Sequence, residues 1–124
     1  MAIIKIESFK PEDEMKIPKL LENITRDISE KLDWSGKALR VYFTEIPKGD
    51  YAFGGKIGYG LSKDEFPPIV HVYIQEKREK TAVDTIVKCV AQQVGKTFNI
   101  SPENVYVLVN KYGKNEMFMY GKYI

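Results

Sequence analysis

Two nitrogen positions and two guanidinium groups hold most of the chemistry open to this chain. Met1 is followed by the small residue Ala2, so aminopeptidase removal of Met1 is expected, leaving Ala2 with a free primary amine. Such an amine can take a proton as a base, and it can form an imine with a carbonyl compound. The stretch PPIVHVYIQEKRE, beginning at Pro67, offers a second candidate: a proline, an alternating apolar strand and a charged turn with Arg78. Pro68 is internal, however, and its nitrogen is a tertiary amide whose lone pair is delocalised into the carbonyl. It is neither base nor nucleophile, and it reads as a strand-initiating residue. Arg40 and Arg78 can each hold a carboxylate through paired N–H donors. Their plainer roles are an ion pair across a sheet for Arg40 and a solvated turn charge for Arg78.

The remaining reactive side chains carry less. His71 is the single histidine, set between Val70 and Val72, and no Cys or carboxylate cluster stands at metal-ligand spacing. No metal is expected. Cys89 lies among apolar helix positions with only Lys88 adjoining it, which describes an inert thiol. The run GGKIGYG lacks the strand-turn-helix context of a phosphate-binding loop, so no cofactor is expected.

A duplicated unit must position these groups. Shifting the chain by 66 residues places Ile3 on Ile69, Leu20 on Ile86, Ile24 on Val90, Ile28 on Val94, Leu39 on Val105 and Val41 on Val107 without a gap. Lys48, Gly55 and Lys56 fall on Lys114, Gly121 and Lys122 in the same shift. Each copy reads β-α-β. Residues 2–8 alternate as a strand, and Ile17, Leu20, Leu21, Ile24, Ile28 and Leu32 form one apolar helical stripe. Pro18 is tolerable only near a helix start, which places that start at Met15 or Lys16. Gly36 closes the connection, and ALRVYFTEI alternates again with Arg40, Tyr42 and Thr44 on the outer side. DYAFGG is a short extra strand. In the second copy PIVHVYI is a strand, Glu79 to Phe98 a helix, SPEN a one-turn helix capped by Ser101, and VYVLVN a strand. The expectation is a single domain over 1–124 made of two fused units, about 1–56 and 67–124, with a linker at about 57–66. Right-handed crossovers then give a four-stranded mixed sheet with both helices on one face. The other face is too aromatic for plain solvent, which points to self-association.

Composition narrows the classes. At 124 residues and 44% apolar, the chain can bury a core. A net charge of +2 with interspersed signs lacks the basic stripe of a nucleic-acid binder. No apolar run spans a membrane, and no h-region follows the start, so neither membrane nor signal peptide is expected. One cysteine excludes an intrachain disulfide and fits a cytoplasmic setting.

PIVHVYIQEKREKT with its helix, and ALRVYFTEIPKGDYAFGGK of the first copy, resemble the 4-oxalocrotonate tautomerase family. The form is that of its two-unit members, the macrophage migration inhibitory factor and carboxymethyl-hydroxymuconate isomerase types. The resemblance covers nearly the whole chain. It implies an α+β two-layer fold assembled as a homotrimer. It also implies an amino-terminal proline that moves a proton between carbon and oxygen of an enol or keto acid, with arginines holding the substrate carboxylate. Here Ala2 stands at the proline position, and the matching Pro68 is internal. Arg78 matches the carboxylate-binding arginine in the second copy only; its first-copy counterpart is Glu12, which would repel a carboxylate. Arg40 matches the second arginine, with Tyr106 as its counterpart. Tyr51 matches the aromatic wall of the pocket, with Phe53 beside it, though both could simply plug the trimer. The resemblance thus implies an atypical enol–keto isomerase of small 2-oxo acids, with the Ala2 amine as base and Arg40 or Arg78 of an adjacent subunit as anchor. The alternative is a non-catalytic trimeric scaffold or small-ligand binding module. A ferredoxin-like regulatory domain has the same repeat order but fits the crossover and hairpin less well.

Overall fold

The computed structural model describes residues 1–124. Strand β1 (Ala2–Ser8), helix α1 (Lys16–Leu32) and strand β2 (Leu39–Glu45) form the first β-α-β unit. After the short strands β3 (Ala52–Phe53) and β4 (Lys56–Ile57), strand β5 (Ile69–Gln75), helix α2 (Lys80–Phe98) and strand β6 (Tyr106–Tyr112) repeat it. Strands β7 (Phe118–Met119) and β8 (Lys122–Tyr123) end the chain as a second hairpin. The large sheet runs β2-β1-β5-β6. Each unit contributes a parallel pair, and the units meet through antiparallel β1 and β5, with Ala2 opposite Ile74. The expected α+β fold with a mixed four-stranded sheet is present.

Alternation in the strands decides the layers. Ala2, Ile4 and Ile6 of β1 and Val70, Val72 and Ile74 of β5 are fully buried. They pack with the stripes Leu20, Ile24 and Ile28 of α1 and Ile86, Val90 and Val94 of α2 in one core. Full burial of a Leu, Ile or Val side chain contributes roughly 1.5–3 kcal/mol, so this layer dominates the stability. Helix α1 begins at Lys16, where Pro18 still lies in the first turn and its missing N–H leaves no internal bond unmade. Helix α2 begins at Lys80 with Glu79 as its extended N-cap residue.

The two halves agree in backbone detail. Both helices end on a left-handed residue, Asp33 and Asn99, which are 66 positions apart. The sequence places the closing turn at Gly36. The left-handed cap of the helix itself is Asp33, a residue type that enters this region through local side-chain hydrogen bonding. Gly36 opens a one-turn 3-10 helix whose N-cap Ser35 Oγ accepts from the Lys37 N–H. Where α1 and α2 pack, Gln93 Nε2 donates to Asp27 Oδ2 at 2.5 Å, again between residues 66 apart.

Gly58 holds the crossover. Its N–H donates to the Tyr51 carbonyl at 2.8 Å, and a Cβ there would collide with the Lys48 carbonyl and stand 3.0 Å from the Phe66 ring. Gly58→Ala is expected to cost about 1–3 kcal/mol, as overpacking against fixed backbone does. Urea denaturation at fixed protein concentration checks this, and an unchanged midpoint would show that the loop has room.

Candidate active site at the amino terminus

Antiparallel pairing of β1 with β5 decides what surrounds the amine. The start of β1 lies beside the end of β5, so the charged turn after Gln75 falls next to Met1. Burial lowers the pKa of the Met1 amine below the ordinary α-amino range, and the charges of Arg78 and then Lys77 lower it further. Both effects disfavour the ammonium form, the condition for a base near neutral pH.

Arg78 is built into this place. Its N–H donates to the Gln75 carbonyl at 3.1 Å, which closes the turn. Its guanidinium carbon stands 4.6 Å from the centroid of the Trp34 ring. A cation over an indole contributes roughly 0.5–2 kcal/mol, enough to restrain a long side chain. Arg78 makes no ion pair with any carboxylate, and its buried Nε has no acceptor. The guanidinium is therefore held in place with its charge uncompensated, which suits an anionic ligand.

Tyr112 completes the near shell. It ends β6, beside Gln75, and its hydroxyl donates to the Met1 carbonyl at 2.8 Å. Burial raises its pKa, with Arg78 acting in the opposite direction. At neutral pH it is a hydrogen-bond donor.

Arg40 sits at the same end of the sheet, opposite Ile3, and is exposed. Its guanidinium donates to the Lys37 carbonyl at 3.1 Å and to the Tyr120 hydroxyl at 2.9 Å. Tyr120 has φ 53°, where the first-copy hairpin has Gly54 at 56°. A bulky residue there is strained. The bond to Arg40 ties the strained hairpin across this end of the sheet. Tyr51 and Phe53 lie elsewhere. They follow β2, whose end pairs with Ser8, so the seven-residue β1 separates them from the amine by roughly 20 Å. Tyr51 stacks on Phe66 with centroids 3.9 Å apart, and Phe53 is exposed. Within one chain, Ala2 and Arg78 are brought together, Arg40 lies at the same end, and the two aromatics lie at the other.

Lys77, Tyr112 and Trp34 belong to this site and were not singled out from the sequence. Their signal lay in the antiparallel pairing of the two copies, which places the ends of β5 and β6 and the loop after α1 at Ala2. His71 takes no part. It stands on the outer sheet face, with Nε2 2.9 Å from Glu7 Oε1. Cys89 is buried, and burial pushes its thiol pKa up, away from the reactive thiolate. No group of His, Cys, Asp and Glu is arranged to hold a metal ion.

Two β-α-β units sharing one sheet, with a desolvated terminal amine beside a fixed arginine, define a class of small α+β proteins. No family model matches the sequence, and no curated protein matches it by sequence. Solved structures do match in shape. A fused 4-OT, described as a wild-type asymmetric trimer, superposes with TM-score 0.82 at 13% identity over 98% of this chain and 94% of that one. Pt0534 inactivated by 2-oxo-3-pentynoate gives 0.80 at 19% identity, over 96% and 92%. Macrophage migration inhibitory factor of Toxoplasma gondii gives 0.69 at 12% identity, over 98% and 99%. The chain has the fold of the tautomerase superfamily.

Proposed function

We propose that this protein is an atypical enol–keto isomerase of small 2-oxo acids, working as a homotrimer in the cytoplasm through its terminal amine. One observation carries the reading: the guanidinium of Arg78, stacked on Trp34 and free of any carboxylate, bears on an amine whose pKa is already lowered. Removal of Met1 would place the amine on Ala2, at the inner-face start of β1 and still beside the turn that carries Arg78. It would also take away the carbonyl that Tyr112 now donates to, leaving a hydroxyl donor for the enol oxygen. The neutral amine takes the proton from the enol hydroxyl or from C3, and the ammonium returns it at the other atom. Arg78 holds the carboxylate throughout. Inactivation of Pt0534 by a 2-oxo acid supports this substrate class.

Two features support the trimer. The outer sheet face exposes Tyr42, Tyr73, Tyr106 and Leu108, an apolar surface suited to burial between copies. Tyr51 and Phe53 can reach an amine only across a chain boundary, given their place at the far end of the sheet. Trimers are also described for fused 4-OT proteins of this fold.

Ketonisation of an aryl enolpyruvate tests the reading. Acceleration above buffer that disappears when the terminal amine is acetylated is the expected result. No acceleration, or a rate indifferent to acetylation, would leave the trimeric scaffold or small-ligand module in its place. Sedimentation equilibrium at three times the 14.3 kDa chain mass checks the assembly.

A further inference from the structure

The duplication leaves a second cleft at the opposite end of the sheet, between the loop after β1 and the end of α2. Its cavity of about 580 Å³ is walled by the loop after β1, the crossover near Ser62 and the end of α2. That is within the range of roughly 300–1,000 Å³ typical of small-molecule pockets. No terminal amine is available at this end: Pro68, which precedes β5, is buried and its nitrogen is an amide. Glu12 stands where the other copy has Arg78. The residues that replaced the reactive groups form a pattern of their own.

Five lysines line the cleft against two carboxylates. Asp13 is engaged, since its carboxylate accepts from the Met15 N–H at 3.0 Å. Lys10 is paired with Glu14 at 3.1 Å and Glu45 at 3.8 Å. Lys16, Lys48, Lys63 and Lys96 have no ion-pair partner at all. The start of α1 and the end of α2 both reach the cleft, so their opposed helix dipoles roughly cancel and the lysines decide the sign. The floor is aromatic. Phe9 packs edge-on against Phe66 at 5.2 Å and Phe98 at 6.0 Å, with Lys48 Nζ 5.3 Å from the centroid of the Phe9 ring. Unpaired ammonium groups around an aromatic floor match a ligand that is itself a flat ring with adjacent negative charges.

We propose that this cleft is a second, non-catalytic binding site for a small aromatic dianion. Amide chemical-shift mapping of the full chain with phthalate tests it, with maleate as the control that keeps the cis-dicarboxylate and lacks the ring. Phthalate is expected to shift Phe9, Ser62, Lys63 and Thr97. The Lys63→Glu, Lys96→Glu double variant is expected to weaken it at least about tenfold, since each reversal replaces attraction with repulsion at close range. Maleate is expected to bind several-fold more weakly, and Arg78→Ala to leave phthalate binding unchanged. Shifts that cluster on Trp34 and Arg78 instead would overturn the proposal and assign the anion to the amino-terminal site. Shifts unchanged by the double variant, equal binding of maleate, or no shifts at tens of millimolar would also overturn it. None of these outcomes depends on whether the amine is catalytic.

Discussion

Replacing Arg78 by alanine is expected to lower kcat/KM for aryl enolpyruvate ketonisation by about 100-fold, the usual cost of removing a charged donor aimed at a substrate anion. The same change should move the pH profile. A positive charge beside an amine disfavours its protonation: Arg78 lowers the pKa of the Met1 amine, second only to burial, and is expected to act in the same direction on an amine at Ala2. The base is active when neutral, and the rate therefore rises with pH through the amine pKa. Without Arg78 that pKa rises toward the ordinary α-amino range, and the ascending limb shifts to higher pH. Burial remains, so the shift is partial. Arg78→Lys should restore much of the pH limb, because it keeps a charge. It should restore less of kcat/KM, because it loses the planar fork and the full contact with Trp34. Profiles of kcat/KM against pH for the three proteins separate these effects. Coincident limbs for wild type and Arg78→Ala would show that the guanidinium does not act on the amine.

Ile24→Ala is expected to cost about 2–5 kcal/mol of stability, with a lower urea midpoint and little change in slope. Ile24 is wholly buried in the middle of α1, within the core shared by both helices and the inner sheet face. The change removes buried methyl groups and leaves a cavity that two packed helices cannot close. Lys19→Ala, on the exposed side of the same helix, should change stability by no more than about 0.5 kcal/mol. Binding between copies adds to apparent stability by mass action, so both variants and the wild type are compared at one protein concentration. Equal midpoints for Ile24→Ala and wild type would show that the helix layer is not the main source of stability.

Much of the fold was legible because its signals are local. Helix α1 starts where Pro18 requires, and the one-turn helix at Pro102–Asn104 sits behind its Ser101 cap. The outer and inner faces of β2 follow from alternation alone, with Arg40 and Tyr42 exposed and Leu39 buried. The exception was the end of α1. Gly36 marks the connection to β2, but the residue that ends the helix is Asp33, which takes the left-handed backbone. Several residue types can do this, so the turn had no unique mark. The site was less legible. Arg78 could be named from its turn, yet nothing local ties it to residue 1. Tyr112 lies beyond the strand that the alternation of VYVLVN marks, and nothing local sets Trp34 apart.

Residue chemistry and the 66-residue period are properties of the chain itself. They establish two β-α-β units and an amide nitrogen at Pro68, the second-copy counterpart of residue 2. They do not say how the two units join, because periodicity reports which face of a strand is buried and not which edge meets which. Only the packed structure decides that. Pairing β1 against β5 in opposite directions lets both helices share one face and bury their stripes together. The same pairing sets Arg78 beside the amine of its own chain, sends Tyr51 and Phe53 to the far end of the sheet, and opens the lysine-lined cleft there.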